Sequence, residues 1–207
     1  MHEPNAQALY APAVARNREP LLAVLRRVLP ASGLVLELAS GTGEHAAFFA
    51  GHLPGLTWQP SEPDPALRGS IAAHRALAGC DNLELPLALD VTAADWSVAR
   101  ADAVLCVNMI HISPWAAAEG VVAGAARRLP AGGPLVFYGP FMRDGQHTAP
   151  SNERFDMMLR AEDPSWGVRD LSAVTELAVG HGLHFEEAVE MPANNLTVVY
   201  RREAALA

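Results

Sequence analysis

The fold is decided by an apolar run that leads directly into a glycine-rich turn, Leu34-Val35-Leu36-Glu37-Leu38-Ala39-Ser40-Gly41-Thr42-Gly43. A short apolar run bounded by turn residues predicts a buried strand. Glycine at positions 41 and 43 permits a sharp turn in which backbone amides can approach a ligand closely. Three similar apolar runs follow at residues 56–59, 83–89 and 103–107, separated mostly by helix-compatible stretches. This alternation predicts a parallel sheet that is covered by helices on both faces.

The rest of the chain supplies further helices and strands. Apolar residues at helical spacing predict a helix within residues 12–29 and another at 115–129, and a fifth parallel strand is expected at 135–138. Helices are predicted near 65–77, 152–160 and 171–180, and two final strands, 184–189 and 196–201, are expected to form an antiparallel hairpin. We therefore predict one α/β domain over residues 1–207, with an N-terminal helical cap (1–30), a cofactor-binding core (31–142), and acceptor-side helices with the hairpin (143–207).

Composition excludes several classes of protein. Half of the 207 residues are hydrophobic and 18% are charged, which is typical of one well-packed globular domain. The formal charge of -8 disfavours a nucleic-acid partner, because such binding depends on cationic side chains. The chain contains no apolar run of about 18 residues and no N-terminal targeting pattern, so we expect a cytoplasmic protein without a membrane partner. The two cysteines and the scattered histidines do not predict a metal site, and the sequence leaves the oligomeric state open.

Three acidic residues follow the ends of three successive predicted strands. Glu37 ends the first strand, where a buried carboxylate needs a partner such as a cationic ligand group or an ordered water. Glu62 lies about 20 residues beyond Gly43, the spacing typical of an acid that binds the ribose hydroxyls of a nucleoside cofactor. Asp64 is the alternative ribose ligand, although its position suits a helix cap. These acids and the glycine turn together predict a nucleoside cofactor.

Asp90 follows the third predicted strand and has two interpretations. Its carboxylate could accept a hydrogen bond from an adenine amino group, with Val91 beside the base. Alternatively, Asp90 could cap a helix that begins in the sequence Asp90-Val91-Thr92.

The turn from Glu37 to Gly43 resembles motif I of class I S-adenosylmethionine (SAM)-dependent methyltransferases. A closer resemblance, to the family that includes human methyltransferase-like protein 26, is carried by segments 15–18, 36–45, 58–62, 108–112, 138–141, 166–170 and 191–196. It implies a Rossmann-like three-layer sandwich, a seven-stranded, mostly parallel sheet with an antiparallel C-terminal strand, and SAM as cofactor, with S-adenosylhomocysteine as product. The expected cofactor-binding residues are Glu37, Ala39, Ser40, Gly41, Thr42, Gly43, Glu62, Asp64, Asp90, Val91, Asn108 and Met109.

Two positions depart from the general motif of these enzymes. Ala39 stands where a first glycine is common, and we expect it to keep a strand-like backbone. Glu62 replaces the more usual aspartate but retains the carboxylate.

The chemistry of methyl transfer depends mainly on positioning, because the methyl group is already activated by the sulfonium. His111 is the candidate base that would deprotonate an oxygen, sulfur or nitrogen of the acceptor, and a structural histidine is the equal alternative. The sequence Asn108-Met109-Ile110-His111 lacks the prolines and the aromatic residue of the loop that methylates nucleobase amines, which disfavours that substrate. Arg16 could contact the SAM carboxylate or an acidic substrate, unless it is merely solvated. Candidate walls of the acceptor pocket are Trp115, Phe141, His147, Asn152 and Trp166, although core or surface packing is the favoured interpretation of each residue taken alone.

Two other functions compete with a methyltransferase that acts on an O, S or N atom of a small molecule. An NAD(P)-dependent oxidoreductase is formally possible, because Gly41, Gly43 and Ala46 satisfy the dinucleotide fingerprint. Glu37 argues against it, since an acid at this turn would repel a pyrophosphate. The second alternative is a non-catalytic SAM-binding sensor or scaffold, which needs no acceptor pocket.

Overall fold

The computed structural model describes residues 7–204, which form six helices and nine strands. The N-terminal half contains α1 (Val14–Val28), β1 (Gly33–Leu38), α2 (Glu44–His52), β2 (Leu56–Pro60), α3 (Pro65–Ala78) and β3 (Ala103–Val107). The C-terminal half contains α4 (Trp115–Arg128), β4 (Pro134–Gly139), β5 (Phe141–Arg143), β6 (Gln146–His147), α5 (Pro150–Glu162), β7 (Arg169–Asp170), α6 (Leu171–Gly180), β8 (Leu183–Met191) and β9 (Asn195–Arg202).

The central sheet has the strand order β2-β1-β3-β4-β9-β8. Strands β1 to β4 pair in parallel, whereas β9 runs antiparallel to both β4 and β8. The predicted mostly parallel sheet, its antiparallel last strand and the C-terminal hairpin are therefore confirmed. A small second sheet of order β6-β5-β7 follows the carboxyl end of β4.

The central sheet contains six strands, so the prediction of seven is wrong. The missing strand is the apolar run 83–89, which lies beside β2 but makes only two isolated bridges, Trp58 to Leu83 and Ser61 to Leu87. Pro86 lies between these bridges and has no N–H to donate to a strand ladder, so continuous pairing is interrupted at this position. The run is therefore an irregular flank of the sheet.

Side chains of alternate strand residues pack on opposite faces of the sheet. Leu36 and Leu38 of β1 belong to the core beneath α4 and α6, while Val35 packs against residues of α1 and α2. This alternation follows from the two-residue period of a strand, and it produces the three-layer arrangement of helix, sheet and helix. None of the helices within residues 7–204 combines the length and the apolar character needed to cross a membrane.

The connection between the run 83–89 and β3 contains no helix, although its composition permits one. Trp96 takes up this space, and its buried ring lies below the Arg128 guanidinium, 4.6 Å from the ring centroid. Arg128 also donates to the carbonyl oxygens of Val98, Gly124 and Trp96. Side-chain hydrogen bonds thus satisfy a backbone that lacks regular structure.

Candidate functional site

A cleft of about 640 Å³ opens at the carboxyl ends of β1, β2 and β3. This volume lies within the range of roughly 300–1,000 Å³ that is typical of small-molecule sites. The lining comprises Ala11, Ala13, Val14, Asn17, Glu37, Ala39, Ser40, Gly41, Thr42, His45, Glu62, Pro63, Leu67, Leu89, Asp90, Val91, Thr92, Val107, Asn108, Met109, Ile112, Ser113, Pro114 and Ala117. Ten of the twelve expected cofactor residues thus meet at one edge of the sheet, where parallel sheets bind ligands, and the two outside the lining are Gly43 and Asp64.

The glycine turn closes tightly against α3. Gly43 donates its N–H to the carbonyl of Ser40 across 3.0 Å, and both glycines have positive φ angles, 56° at Gly41 and 92° at Gly43. A Cβ on Gly43 would lie 2.7 Å from Cα of Ile71, whereas a Cβ on Gly41 would meet no atom within 4 Å. Gly43 therefore permits the contact between α2 and α3 and lies behind the cleft, while Gly41 faces open space.

Ala39 does not keep the strand-like backbone that we expected. Its φ angle is 51°, in the left-handed region that favours glycine. The chain must turn at this residue so that the Ser40 N–H can bond to the carbonyl of Ser61, at 2.9 Å. The glycine that is common at this position in the general motif would relieve the strain.

Glu37 is almost completely buried and still borders the cleft. Its Oε2 accepts a hydrogen bond from Nε1 of Trp58 at 2.9 Å, so a neutral indole supplies the partner that the sequence demanded. Burial raises the pKa of the carboxyl group to about 7, and the hydrogen bond from Trp58 only partly opposes this. A cation in the cleft would favour the ionised form.

Glu62 lies in the cleft wall with both carboxylate oxygens engaged by backbone. Oε2 accepts from the N–H of Gly41 at 3.0 Å, and Oε1 accepts from the N–H of Asp64 at 3.2 Å. Burial raises its pKa above the ordinary value. A carboxylate offers about four acceptor positions, so two remain after these contacts. That capacity fits the two hydroxyls of a ribose.

Asp64 lies outside the cleft, at the start of α3. Its side chain accepts from the N–H of Ala66 at 2.7 Å and caps α3, and it is not part of the cleft lining. The cap interpretation of Asp64 is therefore confirmed, and its carboxylate does not reach the cleft in this structure.

Asp90 does border the cleft, together with Val91. Its Oδ1 accepts from the N–H and the hydroxyl of Thr92, at 2.8 and 2.7 Å. No helix begins between Asp90 and β3, so the helix-cap alternative for Asp90 is wrong. The local turn leaves the exposed carboxylate beside the cleft.

The loop after β3 forms the opposite wall of the cleft. Asn108 has a left-handed backbone with a φ angle of 60°, and its N–H donates to the carbonyl of Tyr138 at 2.7 Å. A short 3-10 turn, Met109–His111, follows and presents Met109 to the cleft.

His111 points away from the cleft and is fully buried. Its Nδ1 accepts the backbone N–H of Arg169 at 3.1 Å, which fixes the proton on Nε2, and Nε2 has no hydrogen-bond partner within residues 7–204. Burial lowers the pKa of the ring to about 3, assisted by the nearby charge of Arg169. These are the contacts of a structural histidine, and in this arrangement the ring does not reach an acceptor in the cleft.

The five expected residues of the acceptor pocket also lie outside the lining of the cleft. Phe141 is buried edge-on against His111, Trp115 lies beside the Arg169 guanidinium, and Trp166 is half-buried. His147 is 3.6 Å from Asp156, and Asn152 donates to the carbonyl of Asn194 at 2.8 Å. These residues support the loops around the cleft by packing and hydrogen bonding.

Sequence reasoning missed several polar residues of the cleft, among them Asn17 of α1 and His45 of α2. Nε2 of His45 and Oδ1 of Asn17 are 2.7 Å apart, and both side chains are buried. Arg16, the residue proposed from this region, is exposed and outside the lining, because successive residues of a helix point about 100° apart. The available signal for His45 was its position two residues after Gly43.

The segment before α1 closes one side of the cleft. The N–H of Leu9 donates to Oγ of Ser70 at 2.8 Å, and the carbonyl of Leu9 is 2.7 Å from Nε2 of His74. The N–H of Ala11 donates to Oε2 of Glu44 at 2.5 Å. These bonds tie the segment to α2 and α3, and Ala11 and Ala13 consequently border the cleft.

The arrangement suits a nucleoside ligand with a cationic part. It offers carboxylates at the ends of successive strands, a glycine turn open to close approach, and apolar walls. Within residues 7–204, no group of three or more His, Cys, Asp or Glu side chains is arranged to hold a metal ion.

Solved structures share this fold. An O-methyltransferase family protein from Burkholderia thailandensis superposes with a TM-score of 0.79 at 18% identity, over 94% of this chain and 58% of that one. An O-methyltransferase family 2 protein from Planctomyces limnophilus, in complex with apigenin, superposes with a TM-score of 0.74 at 19% identity, over 89% of this chain and 60% of that one. CalO1, a methyltransferase of calicheamicin biosynthesis in its SAH-bound form, superposes with a TM-score of 0.72 at 19% identity, over 92% of this chain and 54% of that one.

These similarities show that the chain has the α/β fold of SAM-dependent methyltransferases. The chain spans little more than half the length of these proteins. The sequence profile described as "Protein of unknown function (DUF938)" matches residues 8–202, and the chain therefore belongs to the DUF938 family.

Proposed function

We propose that this protein is a SAM-dependent methyltransferase that moves a methyl group to an oxygen, sulfur or nitrogen atom of a small-molecule acceptor. The observation that carries the proposal is the convergence of the Gly41 turn with Glu37, Glu62 and Asp90 on one cleft. The fold that the chain shares with solved methyltransferases supports it. We also propose that the chain is related to the family that includes human methyltransferase-like protein 26, which several of its sequence segments resemble. That resemblance supports the same function.

The residues of the cleft fit the parts of SAM. Glu62 has two free acceptor positions for the ribose hydroxyls, and Asp90 with Val91 would contact the adenine. Glu37 and the Gly41 turn would receive the methionine part of SAM. Its ammonium group would supply the positive countercharge that an ionised Glu37 otherwise lacks. When bound, SAM supplies a methyl group already activated for displacement. The protein's own contribution would be to orient both molecules and to exclude water.

The oxidoreductase alternative is disfavoured by the position of Glu37. The carboxylate borders the turn that would receive a pyrophosphate, and ionisation beside phosphate oxygens would be repulsive. The sensor alternative is disfavoured by the cleft itself, which extends beyond the three acids to Asn17 and His45 and so provides walls for a second molecule.

Titration calorimetry with SAM, S-adenosylhomocysteine and NAD tests the cofactor. We expect both SAM compounds to bind and the Glu62→Ala variant to lose most of this affinity, while NAD does not bind. Binding of NAD without SAM would overturn the proposal. An assay for transfer of a labelled methyl group from SAM to members of a small-molecule library would then distinguish an enzyme from a sensor. A sensor binds the donor but transfers no methyl group.

A further inference from the structure

The assignment of Glu37, Glu62, Asp90 and the Gly41 turn to the donor leaves the pair Asn17–His45 without a role, and its place in the fold suggests one. Glu62 and Asp90 lie on the β2 side of the cleft, whereas Asn17 belongs to α1 and lies near the side chain of Tyr138, at the end of β4. The sheet order places β4 two strands beyond β1, on the side opposite to β2. The pair thus lies toward the end of the cleft that faces away from the proposed nucleoside site.

On the basis of the proposed methyltransferase function, we propose that Asn17 and His45 recognise a hydroxyl group of an uncharged, largely apolar acceptor. The hydroxyl would donate a hydrogen bond to Nδ1 of His45. This assigns a substrate class to the cleft and a positioning role to His45.

The hydrogen bond between the two residues fixes the tautomer of His45. Oδ1 of Asn17 can only accept, so Nε2 of His45 carries the proton and donates across 2.7 Å. Nδ1 then retains its lone pair, and no other side chain or backbone group within residues 7–204 donates to it. Stacking on Phe49, with ring centroids 5.3 Å apart and an interplanar angle of 8°, holds the imidazole in place.

His45 presents this lone pair as a neutral ring. Burial and the nearby charge of Arg18 lower the pKa of His45 to about 4, so the imidazole stays unprotonated at neutral pH. A neutral imidazole with a protonated Nε2 is a hydrogen-bond acceptor at Nδ1, and it therefore selects a donor such as a hydroxyl.

The remaining walls define the rest of the acceptor. Three carboxylates border the cleft, and no arginine of residues 7–204 does, so an anionic acceptor would find repulsion without compensation. The side chains of Val14, Met109 and Ile112 add apolar surface. An uncharged apolar skeleton with a hydroxyl group matches both features.

Calorimetry with two matched probes tests the inference in the presence of saturating S-adenosylhomocysteine. The probes are 2-naphthol, which carries a hydroxyl donor, and 2-methoxynaphthalene, which does not. We expect the wild-type protein to prefer 2-naphthol by about tenfold, the effect of one hydrogen bond. The ¹⁵N resonance of His45 Nδ1 should shift on addition of 2-naphthol and stay unchanged with the methoxy compound.

Two substitutions at His45 separate the roles of its nitrogens. His45→Asn places an amide group near the position of Nδ1 and should retain part of the preference, whereas His45→Gln places it near Nε2 and should lose the preference. His52→Gln is the control, because His52 lies on the same helix, is exposed and bonds only to the carbonyl of Phe48.

The outcomes distinguish this inference from the proposed function. S-adenosylhomocysteine is titrated alone first, and failure of that binding would defeat the proposed function. If it binds but the wild-type protein does not distinguish the two probes, or if the Nδ1 resonance responds equally to both, the acceptor role of His45 is wrong and the methyltransferase proposal stands.

Discussion

The backbone N–H of Arg169 donates to Nδ1 of His111 across 3.1 Å and joins two segments that are 58 residues apart. The N–H of Gly167 adds a bond to the carbonyl of His111 at 2.9 Å. The Arg169 guanidinium also donates to the carbonyl oxygens of Ile110 and Ser113, at 2.9 and 2.5 Å. Segment 165–170 therefore fixes the loop that carries Met109 and Ser113 into the cleft.

Replacing Arg169 should loosen this wall of the cleft. Arg169→Ala removes charge-assisted bonds to partly buried carbonyls, and we expect the free energy of unfolding to fall by about 2–3 kcal/mol. The affinity for S-adenosylhomocysteine should fall as well. Urea unfolding and calorimetry measure both effects, with Arg154→Ala as control, since Arg154 is exposed on α5. A wild-type unfolding midpoint for Arg169→Ala would show that these bonds contribute nothing.

Glu62 and Asp64 form a matched pair that differs in access to the cleft. Glu62→Gln keeps the shape of the side chain but removes its charge, and we expect affinity for S-adenosylhomocysteine to fall about tenfold or more, since bonds to charged groups contribute about 1.5–3 kcal/mol. Asp64→Asn should leave that affinity unchanged, because Asp64 caps α3 outside the cleft. Equal losses in both variants would contradict the ribose role of Glu62.

The pKa of Glu37 predicts that SAM binds more tightly as the pH rises. Binding beside the SAM ammonium favours the ionised carboxylate, so affinity should increase by up to about tenfold per pH unit between pH 5 and 7 and level off above the pKa of about 7. Glu37→Gln should weaken SAM binding at pH 8 and flatten this dependence. Calorimetry across this pH range checks it; a Gln variant with the wild-type profile would exclude Glu37 as the source.

The same pKa makes a prediction for folding without ligand. The pKa of Glu37 is about 7 in the folded protein and near its ordinary 4.5 when unfolded, so the folded state binds the extra proton between these values. The contribution of Glu37 to stability therefore falls as the pH rises from 4.5 to 7. Glu37→Gln should be more stable than wild type at pH 8, by about 1–3 kcal/mol, and not at pH 4. Urea unfolding at both pH values measures the difference.

The two glycines of the turn should respond differently to substitution. Gly43→Ala combines a positive φ angle with a clash against the backbone of Ile71, and we expect it to destabilise the protein by about 2–4 kcal/mol. Gly41→Ala meets no atom, so it should cost about 1 kcal/mol and act mainly by narrowing the cleft. Thermal unfolding and calorimetry distinguish them, and equal losses of stability would contradict the packing of Gly43 against α3.

Ala39→Gly tests the backbone strain at the start of the turn. The substitution relieves roughly 1–2 kcal/mol of left-handed strain and costs about 0.4–1 kcal/mol through the more flexible unfolded chain, so the net change should be a slight stabilisation. Ala76→Gly, on the exposed face of α3, should instead destabilise by about 1 kcal/mol. A loss of stability at position 39 as large as that at position 76 would contradict the assigned conformation.

The sequence predicts those features that depend on local patterns. Apolar runs located all six strands of the main sheet, which are β1 to β4 and the two strands of the final hairpin. Glu37, Glu62 and Asp90 lie at or just after the ends of apolar runs, and they meet at one cleft because parallel strands share a carboxyl edge. The prediction of a seventh strand was wrong because an apolar run does not determine whether its backbone pairs with a neighbouring strand. Pro86 lies within the run 83–89 and lacks the N–H that continuous pairing needs. His111, Phe141 and Trp166 follow or flank the site in sequence, but tertiary contacts turn them into supports of the cleft wall.

The interruption at Pro86 also affects how the molecule meets its neighbours. A regular strand at the border of a sheet offers an unpaired row of N–H and C=O groups on which another chain can align. Residues 83–89 cover β2 through only two bridges and present no continuous row of their own. We expect this flank to resist edge-to-edge association between copies, so the proline that shortens the sheet also makes this border a poor template for another chain.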